Sequence, residues 1–465
     1  CTTRRRHGLE PLHRPGAHDR ARQQGRRRRP LAPPCPRCPP RLGRGFRRAG
    51  AAHQRRRRWG RHRQHLRQGR RLVQRPSLRR QSVKRLVLLG GGHAHLAVLK
   101  ALAEQPLDGW QVQLVTPFRR QIYSGMLPGW VADHYAIDEC AIALDALAER
   151  GGVALTATAC TGLDPSAKTV ACADGSTLPF DLLSIDTGPE PALHSLPGAL
   201  EHALPIRPIE GFVAAWPGLV DRIAAQSHRF DLVVLGAGAA GVELALAIHC
   251  RALIEGWSHL RITLVGSAPL PLEGIAGSAR RHLARLLVQR GIGWVGERRA
   301  VRIAPERIDF EQGASVGFDA CLVVTGAAAP AWPAASGLAT DPAGFIRVGR
   351  TLQTTLHPQV LAAGDVAAYE HSRPKSGVFA VRAGPVLAHN LRALCRGDAP
   401  TSWTPQRRAL YLISTGDAHA VAAWGRWAWR GAWVWRWKDR IDRRFVARFG
   451  ADAVSGDRKT GPMAE

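Results

Sequence analysis

From residue 84 onward, short apolar runs alternate with longer stretches of helical periodicity. Lys84-Arg85-Leu86-Val87-Leu88-Leu89 reads as a strand, Gly90-Gly91-Gly92-His93-Ala94-His95 as a tight turn, and residues 96–102 as the apolar face of a helix. The order recurs at Phe230-Asp231-Leu232-Val233-Val234-Leu235, Gly236-Ala237-Gly238-Ala239-Ala240-Gly241 and residues 244–254. Each copy is followed by another apolar strand, at residues 112–115 and 262–265, which completes a βαβ unit. Two more apolar strands end in glycine turns, Leu182-Leu183-Ser184-Ile185-Asp186-Thr187-Gly188 and Val360-Leu361-Ala362-Ala363-Gly364-Asp365. After Pro405 the pattern changes to residues 410–413, a Thr415-Gly416-Asp417 turn and residues 421–424, a β-hairpin. A second hairpin is predicted through Trp427, Trp429, Arg430-Gly431, Trp433, Trp435 and Trp437, with indoles at alternate positions. Ile441, Phe445 and Phe449 among Arg440, Arg443, Arg444 and Arg448 predict a short basic amphipathic helix.

The pattern predicts an α/β fold with two Rossmann-like dinucleotide-binding domains, a small C-terminal α+β unit and a disordered N-terminal tail. Residues 1–82 form the tail, 83–215 and 336–400 the two parts of one dinucleotide domain, 216–335 the other, and 401–465 the C-terminal unit. Glycines at a strand–helix turn let backbone N–H groups at the helix N-terminus approach a pyrophosphate that a side chain would block. The second turn has all three glycines, whereas His95 replaces the third in the first, so that helix is expected to sit further from its strand. An aspartate where strand meets helix, as at Asp186 or Asp365, accepts hydrogen bonds from sugar hydroxyls.

Charge alters the picture only at the N-terminus. The chain has 66 Lys+Arg against 36 Asp+Glu, a net +30, but residues 1–80 alone hold 27 Arg, no Lys and two acids. The other 385 residues carry 39 basic and 34 acidic side chains, an ordinary balance. The tail reads either as an arginine-rich nucleic-acid arm or as a frame translated upstream of a start near Val83; the second is the expectation, so no nucleic-acid partner is favoured. No run of about 18 apolar residues occurs. Nine scattered cysteines and the lack of a signal-like apolar segment lead to the expectation of a cytoplasmic protein. No metal site is expected.

The order glycine turn, Thr-Gly, glycine turn, Gly-Asp resembles the FAD-dependent pyridine nucleotide-disulfide oxidoreductase superfamily over residues 84 to about 400. Gly90 to His95, Tyr123-Ser124-Gly125-Met126-Leu127-Pro128-Gly129, Lys375-Ser376-Gly377-Val378-Phe379-Ala380-Val381-Arg382 and Trp437-Lys438-Asp439-Arg440-Ile441-Asp442-Arg443-Arg444-Phe445 make it most similar to the type II NADH dehydrogenase-like branch associated with selenide, water dikinase. The resemblance implies FAD at the first turn and NADH or NADPH at the second. Gly90 and Gly92 would hold the FAD pyrophosphate, with His93, Thr187 and Gly188 in the same site. Gly364 and Asp365 would bind the linking chain, and Tyr123, Ser124, Gly125 and Pro128 would line the ring. Gly236, Gly238 and Gly241 would hold the nicotinamide cofactor. Two catalytic candidates follow: Glu243 near the nicotinamide, or else a first-turn helix acid, and Lys375 near the flavin, or else an exposed loop lysine.

The loop from Tyr123 to Tyr135 lacks the two cysteines, four residues apart, that a disulfide reductase of this superfamily uses. Cys160 with Cys321 is the one conceivable alternative pair, and Cys321 sits in an apolar run. The expected activity is therefore FAD-dependent NAD(P)H oxidation, with electrons passed to a quinone or another small acceptor. The alternatives are a soluble reductase of a selenium or sulfur compound acting with selenide, water dikinase, and a nucleic-acid-binding factor using the tail. Thr116 and Gly266-Ser267 stand where a ribose-binding acid would end each second strand, and the nearest arginines to Ser267 are Arg280 and Arg281, so NADH and NADPH both remain candidates. The Trp- and Arg-rich C-terminus reads either as a peripheral contact with the inner face of an anionic membrane or as a cover for the flavin domain or a homodimer interface.

Overall fold

The computed structural model describes residues 83–450; the expectation of a disordered tail lies outside them. Two five-stranded parallel sheets carry the fold. The first has the order Val360–Ala362, Leu182–Ile185, Lys84–Leu89, Trp110–Val115, Ala154–Thr156. The second repeats that plan as Leu204–Pro205, Ala320–Val323, Phe230–Leu235, Leu260–Val265, Gly293–Val295. In each, the strand leading into a glycine turn is central. A three-stranded antiparallel sheet precedes the return strand in both halves, at residues 160–179 and 300–317.

Central parallel strands are covered on both faces, which is why they read as continuous apolar runs. Leu86 and Leu88 pack with Leu96 and Leu99 of the following helix, His93–Glu104, while Val87 and Leu89 join Leu163 and Val170 on the opposite side. Leu232 and Val234 likewise face away from Val233 and Leu235. Deleting one such leucine side chain would cost about 2–5 kcal/mol.

The C-terminal unit departs from the predicted pattern. Leu410–Ser414 and Ala420–Trp424 form the expected hairpin, and Trp427–Gly431 adds a third antiparallel strand. The chain does not return as a fourth strand. Gly431, at φ 132°, ends the sheet and the helix Ala432–Ala447 begins, so Trp433, Trp435 and Trp437 are helical. Val434, Lys438 and Asp442, four residues apart, are its buried line. Ile441 is exposed, Phe445 half-buried and Phe449 buried, so these three do not form one apolar stripe. Among the described residues no helix is long and apolar enough to cross a membrane.

Candidate active site

At the first turn, Gly90 has φ 88° and its N–H donates to Val115 O at 2.8 Å. A Cβ there would lie 2.4 Å from Asp186 O, and one on Gly92 2.4 Å from the Asp186 carboxyl carbon, so neither position admits a side chain. Asp186 lines the cavity at this turn and also caps the helix. Its Oδ2 accepts Ala94 N–H at 2.7 Å and His95 N–H at 2.9 Å, closing the N-terminus of the helix. Burial pushes this carboxyl up to about 7, with the two donors pulling the other way.

His95 fills the third-glycine position with a hydrogen-bonded ring. Burial lowers it to about 4, so the imidazole is neutral. Its Nδ1 lies 2.6 Å from Gly90 O, an acceptor only, so Nδ1 carries the proton and Nε2 accepts from Ser184 Oγ at 2.8 Å. In the second unit this position is Gly241, whose Cβ would fall 1.8 Å from Gly236 O. The same close approach is met by a ring bridge in one copy and by the absence of a side chain in the other.

A cavity of ≈ 320 Å³ opens at the first turn, and Gly90, Gly92, His93, Ser124, Thr187, Gly188 and Asp365 all line it. His93 Nε2 is buried there without a protein partner, and burial together with nearby Arg207 lowers the ring to about 4. Arg207 also lines the cavity, 4.0 Å from Asp365. A glycine turn at a helix N-terminus, a guanidinium, an orphan imidazole nitrogen and a buried carboxylate suit a pyrophosphate attached to a polyhydroxyl chain, so the residues present fit FAD. Arg207 escaped the sequence reading because nothing local marks it.

Other expected residues are placed less directly. Tyr123 stands behind the cavity wall, with its ring 4.5 Å from Phe445 and 5.7 Å from His93 and its hydroxyl bonded to Asp442. Gly125 packs under the Tyr123 ring, and Pro128 is buried in the short helix Leu127–Val131. Gly364, at φ 73°, would drive a Cβ to 2.2 Å from Asp186 Oδ1. Lys375 lines a neighbouring cavity of ≈ 460 Å³ that shares Asp365 with the first. Its Nζ donates to Ala367 O at 2.7 Å and lies 3.6 Å from the Phe345 ring centre, and burial lowers it to about 8. It is neither an exposed loop lysine nor part of the wall around the glycine turn.

In the second unit a Cβ on Gly236 would meet Val324 O at 2.5 Å, whereas one on Gly238 would meet nothing within 4 Å. Glu243 points toward the C-terminal unit. Its Oε1 accepts Ser414 N–H at 2.8 Å, and burial raises it to about 7 against the pull of Lys438. Trp294 packs beside Gly266, where a ribose-binding acid would stand, and Arg280 is tied to the Leu270 and Pro271 carbonyls. Cys160 lines the first cavity while Cys321 is buried in the second sheet, and burial pushes both thiols up to about 12. Neither is a poised thiolate.

A family model described as pyridine nucleotide-disulphide oxidoreductase matches residues 84–384. The NADH dehydrogenase-like protein YutJ of Bacillus subtilis (strain 168) is 22% identical over 249 residues, which is 52% of this chain and 65% of that protein, so the match spans a little under two thirds of this relative. The sulfide-quinone reductase of Aquifex aeolicus (strain VF5) is 22% identical over 359 residues, 72% of this chain and 82% of that one. The solved sulfide:quinone oxidoreductase of Aquifex aeolicus superimposes with a TM-score of 0.68 at 19% identity, covering 80% of this chain and 93% of its own. NDH2 from Plasmodium falciparum in complex with NADH gives 0.66 at 11% identity, covering 80% and 99%. At these identities the structural likeness establishes the fold.

Proposed function

The chain belongs to the pyridine nucleotide-disulphide oxidoreductase family, with FAD and a nicotinamide as its cofactors, and on that premise we propose that it oxidises NADH or NADPH and passes the electrons to a quinone or another small acceptor at a membrane surface. The observation that carries this reading is the pair of glycine turns. The first borders a cavity with an orphan imidazole, and the second keeps open space beside Gly238 although the backbone there would accept any residue. Thiols held well above the usual range, Cys160 in the cavity wall and Cys321 buried in the second sheet, argue against a disulfide step.

Bound FAD would supply the chemistry, accepting hydride from the nicotinamide and returning electrons to the acceptor. The chain binds and orients. Gly90, Gly92, His93 and Arg207 would hold the pyrophosphate and Asp365 the linking hydroxyls, with Thr187 and Gly188 in the same wall. Tyr123, Ser124, Gly125 and Pro128 would form the loop beside the ring. We assign residues 83–215 and 336–400 to the flavin lobe, 216–335 to the nicotinamide lobe and 401–465 to the acceptor-side unit.

The membrane part of this reading rests on the C-terminal helix. Trp433, Trp437 and Ile441 are exposed along one line, and Arg436, Arg440 and Arg444 along the next. Trp424, Trp427 and Trp429 extend the exposed aromatic area on the sheet, between 42% and 55% accessible. Trp435 of the same helix turns inward, its ring 5.4 Å from that of His134. Exposed tryptophans interleaved with arginines match the headgroup layer of an anionic bilayer, from which an apolar acceptor is drawn. The test is NAD(P)H oxidation with a short-chain quinone, glutathione disulfide and selenite, with and without anionic vesicles. Quinone reduction enhanced by vesicles supports the reading; turnover with the disulfide alone overturns it.

A further inference from the structure

The second sheet has an indole where the nucleotide-binding plan calls for an acid. Leu235 pairs with Val265, and Gly236 N–H donates to Val265 O at 2.9 Å, so Gly266 is the first residue beyond its strand and stands level with the glycine turn. A carboxylate at this place would accept the ribose hydroxyls of NADH and repel the 2′-phosphate of NADPH. Here a Cβ on Gly266 would fall 2.7 Å from the Ala237 Cβ and 2.8 Å from Trp294 Cη2, so the ring takes the space that an acidic side chain would need.

The surroundings are shaped to that ring. Trp294 reaches it from the neighbouring strand Gly293–Val295, and a Cβ on Gly296 would lie 2.8 Å from Trp294 Nε1. Neither Gly266 nor Gly296 has a positive φ, so the backbone does not call for glycine at either, and the indole is what excludes their side chains. Trp294 Nε1 donates to Pro269 O at 3.3 Å, which leaves it no proton for a ribose hydroxyl. The nearby guanidinium groups are engaged as well, Arg280 with the Leu270 and Pro271 carbonyls and Arg298 with Gln312 O. Glu297 brings a carboxylate to the same rim: its N–H donates to Ala268 O at 3.1 Å and the residue is exposed.

We propose that Trp294 is the specificity-determining residue of the nicotinamide site. By holding the acid's place it leaves the 2′-position unread, so the site takes NADH and NADPH with comparable affinity. This rests on the nicotinamide reading above and deepens it. Specificity is a difference between two affinities, and a ring edge that offers neither charge nor hydrogen bond contributes almost equally to both. The pyrophosphate and nicotinamide, which the two cofactors share, then carry the binding.

The test is calorimetric titration of the full chain with NAD+ and NADP+, which bind without reducing the flavin. Their Kd values should agree within about tenfold. Gly266→Asp/Trp294→Ala, which returns the carboxylate and clears the ring, should favour NAD+ by about tenfold or more over the parent ratio. Trp294→Ala alone supplies no acid and should keep the parent ratio, as should Glu297→Gln. A ring present for packing alone would let the double variant weaken both nucleotides together with their ratio unchanged, and that result overturns the proposal. So does a parent ratio beyond tenfold in either direction, or a Glu297→Gln protein that loses NAD+ alone, since the ribose would then be held by Glu297. Where the double variant fails to fold, the parent ratio and Glu297→Gln decide. A chain that binds neither nucleotide refutes the nicotinamide reading itself, and the proposal falls with it.

Discussion

Replacing Gly238 by alanine separates a glycine kept for a ligand from one kept for packing. Gly238 has φ −72° and ψ −173°, a conformation open to any residue, and a Cβ there meets no heavy atom within 4 Å. Alanine should gain about 0.4–1 kcal/mol by restricting the unfolded chain and lose roughly 0.5–1 kcal/mol as a poorer helix N-cap. Unfolding stability should therefore change by less than about 1 kcal/mol. The new methyl, however, would stand where the turn must admit a pyrophosphate. Loss of one or two charge-assisted bonds to backbone N–H groups is worth about 1.5–3 kcal/mol, or roughly 10- to 150-fold in Kd. Anaerobic titration with NADH and NADPH, paired with thermal unfolding, reads both quantities. Gly241→Ala is the contrasting control, because its Cβ would fall 1.8 Å from Gly236 O and must disrupt the fold as well as binding. A Gly238→Ala protein that binds the nicotinamide within twofold of the parent would refute the argument.

Asp186 should leave a signature in stability against pH. Its folded carboxyl is raised to about 7, so its contribution is fully present below the unfolded value near 4 and is lost as pH rises through 7. Asp186→Asn keeps an oxygen for Ala94 and His95 N–H, and unfolding midpoints of the cofactor-free protein should fall less steeply between about pH 4 and 7 than in the parent; an unchanged slope would count against a raised carboxyl. Trp433→Ser/Trp437→Ser should cost about 2–3 kcal/mol per site, as these side chains are 50% and 40% exposed and half or more of each indole is buried, and weaken co-sedimentation of the still-folded protein with anionic vesicles several-fold. Full retention on vesicles would remove the membrane face. Cys160→Ser and Cys321→Ser should keep most turnover in a quinone assay, and a hundredfold loss in either would return a thiol to the mechanism.

The two βαβ units were legible because their signal is local: an apolar strand, a glycine turn and a helix within about 20 residues, each buried by the same two-layer logic. What escaped was set by distance along the chain. Asp186 reaches the helix N-terminus from 91 and 92 residues away, and Lys438 reaches Gly125 across 313. No periodicity links such pairs. The helix start at Ala432 was hidden for another reason. Tryptophans at alternate positions look like a strand, while the true inward line, Val434, Lys438 and Asp442, has helical spacing but is two-thirds charged and so reads as a solvated face. The place of Glu243 in its helix is local, but its partner Ser414 lies 171 residues on.

The central claim is hydride transfer from a nicotinamide to FAD bound at the first glycine turn. The most direct measurement is the absorption spectrum of residues 83–465 under anaerobic conditions, before and after stoichiometric NADH and, separately, NADPH. A flavin band at about 450 nm that bleaches with at least one of the two is the outcome this account requires. A protein that binds FAD but is bleached by neither, or that rebinds no FAD at all, would contradict it.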